Sequence, residues 1–286
     1  MQNIKSAIEN GLYDSAYEHD ACGVGLVLNI KGVKSHAIVE NGLRVLENMM
    51  HRGAENADNK TGDGAGIMLQ IPHEFILLQG IAVPEKGHYG TGLVFLPKDK
   101  EDQEICMQML FDFTEKEGLN ILSVRDVPVN SDILGEMALE REPDIKQIFV
   151  VGEEGLSPEK LELKLYLLRM KIEKEIVDTK QLSYEAKKAF YLVSLSSKRI
   201  IYKGMLSSIQ LRLYFPDLLH PNFTSAIALV HSRFSTNTFP TWDLAQPFRI
   251  VGHNGEINTI KGNRLWMEAR ESILKSDLLG NIKDLW

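Results

Sequence analysis

Residues 22–30 read Cys-Gly-Val-Gly-Leu-Val-Leu-Asn-Ile, a short apolar run that follows a polar leader. Runs of this length and composition are typical of β-strands in sheets that are covered on both faces. Similar runs predict further strands at 66–71, 92–96, 147–151, 189–195, 227–232 and 248–253. The pattern therefore favours a layered fold built around sheets.

Helices are predicted between these strands. Ser157 and Pro158 supply a cap residue and a proline at the first helical position, and apolar residues then recur every three or four positions up to Ile176. Further helices are predicted at 38–50, 105–113 and 260–274. Since no stretch reads as a linker, we expect one domain of the α+β class.

The composition limits which classes of partner and which cellular compartment are expected. The 286 residues carry a net charge of -7, so no broad attraction to nucleic acid or anionic lipid is expected. No apolar run approaches the roughly 18–20 residues that span a bilayer. The first 21 residues are polar and acidic where a signal peptide would be apolar. These features predict a cytoplasmic protein with a small-molecule or protein partner.

The two cysteines, Cys22 and Cys106, are too few for a disulfide framework, and no Cys/His spacing predicts a metal site. Cys106 falls in an amphipathic helical pattern and is interpreted as core packing. Cys22 instead begins a strand. Removing the 21-residue leader would give it a free α-amine, whose pKa of about 7.7–8.0 suits a general base beside its own thiol nucleophile.

Other polar clusters stand at the ends of predicted strands. Asn254 and Gly255 could supply an amide and a backbone N–H to an oxyanion, and Arg233 could bind a substrate carboxylate through two hydrogen bonds or form a structural ion pair. The glycines near Cys22 and in 61–66 lack the third glycine of a dinucleotide fingerprint and the Gly-Lys-Ser/Thr ending of a P-loop. Tight turns or close packing remain the alternative for them.

The histidines at 19, 51, 231 and 253 are each interpreted as loop or core residues rather than catalysts. A papain-like cysteine protease would need one histidine as the partner of its cysteine, and no sequence context singles one out. A protease is therefore not favoured.

In combination, the motifs resemble those of class II (N-terminal nucleophile) glutamine amidotransferases, in particular that domain of the glutamate synthase large subunit. The matching motifs are Glu-His-Asp-Ala-Cys-Gly at 18–23, His-Arg-Gly-Ala at 51–54, Thr-Gly-Asp-Gly-Ala-Gly at 61–66, His-Ser-Arg-Phe-Ser-Thr-Asn at 231–237 and His-Asn-Gly-Glu-Ile-Asn-Thr at 253–259. The resemblance implies a four-layer αββα sandwich of the N-terminal nucleophile hydrolase type. It also implies a propeptide at 1–21 and a type-2 amidotransferase domain at 22–286 that is incomplete at its C-terminus, because the family's acidic Ser-Asp-Ser-type segment is missing.

By the same resemblance, Cys22 would attack the side-chain amide of L-glutamine, while Asn254 and Gly255 stabilise the oxyanion. The substrate-binding residues would be Arg233, Thr236, Gly255 and Glu256, with 61–66 shaping the adjoining wall. FMN and an iron–sulfur cluster are expected in the full-length parent, and no cofactor in this region. Partners would be synthase domains of the parent chain and a small reductase subunit; the electron donor is left open.

Two other functions stay open at the level of sequence. The region could be a stand-alone amidotransferase that feeds ammonia to another acceptor, or a non-catalytic module that docks onto synthase domains. An uncleaved leader would leave Cys22 with a peptide nitrogen instead of an amine base. Such a chain is expected to be inactive.

Overall fold

The structure is a computed structural model, and it describes residues 23–50, 58, 60–232, 240–251, 259–276 and 279. Within these ranges the chain forms eight strands and eight α-helices. The strands are β1 (Gly23–Leu28), β2 (Ala65–Gln70), β3 (Tyr89–Leu96), β4 (Leu119–Asp126), β5 (Asp144–Gly152), β6 (Tyr191–Leu192), β7 (Arg199–Gly204) and β8 (Ile227–Ser232). The helices are α1 (His36–Asn48), α2 (His73–Leu78), α3 (Lys100–Lys116), α4 (Glu136–Glu140), α5 (Pro158–Asp178), α6 (Tyr184–Ala189), α7 (Gln210–Tyr214) and α8 (Ile260–Glu271).

The strands form two four-stranded sheets, in the orders β1-β8-β2-β7 and β4-β5-β3-β6, and their pairings are antiparallel. The prediction of an α+β fold is confirmed. Short helical turns at Ser131–Ile133 and Pro216–Leu219 join neighbouring elements.

Apolar contacts attach the helices to the sheets. Helix α1 lies against the first sheet at Gly42, where an added Cβ would come within 2.7 Å of the Ala228 side chain. Helices α3 and α5 pack on one face of the second sheet, where Leu110 and Leu168 share a buried cluster with Val94. A separate buried cluster contains residues of both sheets, so the two sheets share a core.

Helix α5 confirms the prediction made from its spacing. Ser157 is its N-cap and its hydroxyl accepts from the Lys160 amide at 3.4 Å, while Pro158 occupies the first turn. Its five buried residues are the apolar positions of the sequence pattern, Leu161, Leu165, Leu168, Ile172 and Ile176. The stripe is therefore core.

Truncating this stripe is expected to be costly. Leu168→Ala should lower the free energy of unfolding by about 2–5 kcal/mol, because Leu168 is fully buried and its loss leaves a cavity. Val177→Ala, at an exposed position of the same helix, should change it by less than about 0.5 kcal/mol. Urea denaturation of both variants would check this; a loss below 1 kcal/mol for Leu168→Ala would contradict the packing described.

One strand prediction is right for two residues only, and another is wrong in the described residues. In 189–195, Ala189 ends α6 and only Tyr191–Leu192 form a strand, β6. The chain then turns towards α5, because the Ser196 hydroxyl and the Ser197 amide donate to Glu162 at 2.7 and 2.6 Å. In 248–253, the described part 248–251 folds back on itself through reciprocal backbone hydrogen bonds between Phe248 and Val251.

The remaining strand predictions agree with the observed strands to within three residues at each end. Residue 22, where the first of them begins, lies outside the described ranges. The sequence reasoning missed β4 and β7. As for membranes, none of the helices in the described ranges combines the length and apolarity that crossing a bilayer requires.

Candidate active site

Four strand ends meet at one edge of the first sheet. Gly23, the first residue of β1, pairs with Ser232, the last residue of β8. Ser232 also pairs with Ala65 at the start of β2, and Ala65 pairs with Gly204 at the end of β7. We call the row Gly23, Ser232, Ala65 and Gly204 the strand-end edge. Three of the sequence motifs, those at 18–23, 61–66 and 231–237, reach this edge.

The reactive residues predicted from sequence are adjacent to this edge in the chain. Cys22 precedes Gly23, and Arg233 follows Ser232. Both lie outside the described residues, as do Thr236 and the Asn254, Gly255 and Glu256 group. The same holds for three of the four histidines considered, those at 19, 51 and 253. The fourth, His231, is buried in β8, as its interpretation as a core residue predicts.

The strand-end edge is tightly packed. A Cβ at Gly23 would lie 3.1 Å from the Ser232 Cβ and 3.2 Å from the Met49 sulfur. The Ser232 hydroxyl is 2.8 Å from the Ser208 hydroxyl, and both side chains are buried. Gly23 and Ser232, the described neighbours of Cys22 and Arg233 in the chain, are thus held by close packing, which suits precise placement of the residues predicted to be reactive.

The loop that contains 61–66 is held by hydrogen bonds and by close backbone approach. The Asp58 carboxylate accepts from the Thr61 hydroxyl at 2.5 Å and from the Thr61 amide at 2.7 Å. These bonds lower the pKa of Asp58 to about 2. Gly62 has no room for a side chain, because a Cβ there would lie 2.1 Å from the Ser207 nitrogen. Close packing explains this glycine, which was one of the two alternatives to nucleotide binding that the sequence left open.

The chain between Arg233 and Asn254 crosses the first sheet in residues 240–251, which we call the connecting segment. A Cβ at Gly66 would lie 2.5 Å from the Gln246 carbonyl oxygen, so the segment lies directly on the β2 backbone. The Trp242 ring packs on Gly204 in a similar way, and its indole N–H donates to the Ala138 carbonyl at 3.1 Å.

Lys203, in β7, is a buried lysine beneath this segment. Its side chain is fully buried, and its amino group donates to the Asp243 carbonyl at 2.6 Å. The nitrogen also lies 4.6 Å from the ring centres of both Tyr191 and Phe248. Burial lowers the pKa of Lys203 well below its ordinary value, and the nearby charge of Arg249 adds to this shift.

Sequence reasoning missed Lys203. The available signal was a lysine inside the run Arg-Ile-Ile-Tyr-Lys-Gly at 199–204, where its neighbours are apolar. A charged residue within a strand is rarely buried without a specific partner.

A cleft of about 370 Å³ is lined by three arginines, Arg169, Arg199 and Arg249, of which Arg249 belongs to the connecting segment. Arg199 is at the opposite end of β7 from the strand-end edge, where it pairs with Gln70. The cleft is thus not at the strand-end edge. Among the described residues, no group of three or more His, Cys, Asp or Glu is arranged to hold a metal ion.

Comparison with known proteins decides the family. The family model described as "Glutamine amidotransferases class-II" matches residues 22–286. The chain belongs to this family. The match begins at Cys22 and includes the whole of the strand-end edge.

Individual relatives of this amidotransferase are glutamate synthases. The chain is 44% identical over 282 residues to "Glutamate synthase [NADH]" of Saccharomyces cerevisiae, covering 94% of this chain and 13% of that protein. It is 44% identical to "Glutamate synthase [NADPH] large chain" of Azospirillum brasilense, covering 96% and 18%. It is 43% identical to "Ferredoxin-dependent glutamate synthase 1, chloroplastic/mitochondrial" of Arabidopsis thaliana, covering 93% and 16%. The chain thus spans less than a fifth of the length of these relatives.

Proposed function

We propose that this region is the glutaminase part of a glutamate synthase, which releases ammonia from L-glutamine through a thioester on Cys22. The observation that carries the proposal is the pairing of Gly23 with Ser232. Paired Cα atoms in an antiparallel ladder lie about 4.5–5.5 Å apart, and bonded Cα atoms about 3.8 Å apart. The chain therefore leads to Cys22 and to Arg233 from two neighbouring Cα atoms, those of Gly23 and Ser232, which supports their proposed roles as nucleophile and substrate-binding group.

In the proposed reaction, the α-amine of Cys22 takes the thiol proton as the sulfur attacks the side-chain carbonyl carbon of glutamine. Asn254 and Gly255 stabilise the oxyanion by donating hydrogen bonds. The C–N bond then breaks, the proton passes to the leaving nitrogen, and ammonia departs from a glutamyl thioester. Water attacks this thioester, which frees glutamate and restores the thiol.

Substrate binding is assigned to Arg233, Thr236, Gly255 and Glu256, with Arg233 forming two hydrogen bonds to the α-carboxylate. Residues 1–21 are proposed to be a propeptide whose removal creates the amine, and 22–286 to be the amidotransferase domain. The start of the family match at Cys22 supports this division. The helices packed on the two sheets support the finer proposal of a four-layer αββα arrangement.

In the complete protein, we infer that the ammonia reaches a synthase portion, where 2-oxoglutarate is converted to glutamate. FMN and an iron–sulfur cluster would belong to that portion. This region does not fit a cluster, since clusters are commonly held by about four cysteines and this chain has two. A small reductase subunit and a cytoplasmic location complete the proposal.

The proposal predicts that activity depends on the N-terminus. A chain that begins at Cys22 should release ammonia and glutamate from glutamine, whereas one that retains residues 1–21 should not, because its Cys22 nitrogen is in a peptide bond. Intact mass and N-terminal sequencing of the full-length protein, followed by a glutaminase assay, would test this. Equal activity of the two forms would contradict the amine-base mechanism, and no activity in either would favour a docking module.

A further inference from the structure

We propose that Lys203 is a positioning residue of the glutaminase site, holding the connecting segment that leads the chain from Arg233 to Asn254. The inference rests on the function proposed above. It starts from the placement of Lys203 one residue in from the strand-end edge, where it pairs with Gly66, which in turn pairs with His231.

The contacts of Lys203 converge on the connecting segment. Its amino group donates to the backbone carbonyl of Asp243 at 2.6 Å and faces the ring of Phe248 at 4.6 Å. These two residues bracket the stretch that lies on Gly66. A nitrogen that donates a hydrogen bond does so both as an ammonium and as a neutral amine, so the anchor operates in either protonation state.

Other contacts also hold the segment, at residues next to those that Lys203 contacts. Trp242 is fixed through the Ala138 carbonyl. Arg249 donates to the Leu192 carbonyl at 2.7 Å and forms an ion pair with Glu173. Lys203 adds a contact from the sheet that carries the strand-end edge to Asp243 and Phe248. Because Phe248 lies five residues before His253 in the sequence, a shift of Phe248 would displace the chain that leads into the 253–259 motif.

Burying a lysine lowers the stability of the folded protein, because the charged form of its amino group loses hydration. Stability alone therefore does not explain a lysine at this position. An apolar side chain of similar length would fill the same space. A requirement for a defined position of the Asp243 carbonyl would explain the amino group at this position. If Asn254 and Gly255 stabilise the oxyanion, an error in their position weakens contacts that strengthen in the transition state and lowers kcat more than it raises KM.

The test is steady-state glutaminase kinetics on the full-length protein carrying Lys203→Met, with Lys31→Met, an exposed lysine, as the matched control. The expected result is a fall in kcat of about 10- to 100-fold with KM within about threefold, since losing one oxyanion donor costs about 10²–10³. Alkylation of Cys22 by a glutamine analogue should slow in parallel. Lys31→Met should match the wild type.

An unchanged kcat with only a lower melting temperature, or a raised KM alone, would overturn the inference. If Lys203→Met fails to fold, Phe248→Leu removes one aromatic contact of the amino group and should still lower kcat at least threefold; no change would overturn the inference. Cys22→Ala serves as the reference. Its activity should be lower by about 10³-fold or more, and a Cys22→Ala protein as active as the wild type would overturn the proposed function itself.

Discussion

Replacing Cys22 by alanine is expected to lower glutamine hydrolysis by about 10³-fold or more, because no other group in the proposed mechanism can form the thioester. Removing a nucleophile typically abolishes the covalent route and leaves only the contribution of binding and oxyanion contacts. Ammonia and glutamate release should be measured on proteins from which residues 1–21 have been removed and that are otherwise complete. Starting from these proteins separates loss of the thiol from failure to remove the leader.

The second cysteine provides a matched control. Cys106 is fully buried in α3, and burial raises the pKa of its thiol to about 12, so it stays a neutral, inaccessible thiol. Cys106→Ala should therefore keep its activity and its labelling by a glutamine analogue, while losing some stability through the small cavity. Labelling that follows Cys106 instead of Cys22 would contradict the assignment of the nucleophile.

The largest effect on stability is expected at Asp217. Its carboxylate accepts two hydrogen bonds from Arg125 of β4, at 2.6 and 2.8 Å, and one from the Tyr202 hydroxyl of β7 at 2.9 Å. One buried carboxylate thus joins a strand of each sheet. Asp217→Ala leaves the Arg125 charge and the Tyr202 hydroxyl without this partner, and should cost about 3–5 kcal/mol of the free energy of unfolding.

Urea denaturation would measure this cost against Asp178→Ala, which removes an exposed carboxylate at the end of α5 and should change stability by less than about 0.5 kcal/mol. Whole small domains are stable by only about 5–15 kcal/mol, so the Asp217 variant should show a clearly lower midpoint. A loss below 1 kcal/mol would mean that the two sheets do not depend on this connection.

Sequence patterns predicted the helices and strands whose buried residues form a regular stripe or an unbroken run along the chain. Helix α5 and strand β8 are examples, since an apolar stripe or an unbroken apolar run determines each. Strand β7 was missed because its apolar run is only three residues long and is bounded by Arg199 and Lys203, although Lys203 is buried. The strand predicted at 248–253 failed because residues 248–251 satisfy their backbone groups within a tight turn. Such pairings depend on distant contacts that a local pattern does not contain.

In the candidate site, too, some features could be predicted from the sequence and others could not. Motifs identified Cys22, Arg233 and Asn254 as reactive residues, and the structure places the described neighbours of the first two at one sheet edge. The roles of these side chains stay predictions. The Ser208–Ser232 contact and the Asp243 carbonyl over Lys203 could not be predicted, because each joins residues that are far apart in the chain.

The pairing of Gly23 with Ser232 also has a consequence for the order of events during synthesis. Its partners are more than two hundred residues apart, so the first strand cannot be fixed until β8 has left the ribosome and a very long loop has closed. Contacts of such long range form slowly. If leader cleavage requires the assembled strand-end edge, it cannot occur until nearly all of this region has been synthesised. An unfinished chain would then carry no exposed, competent nucleophile.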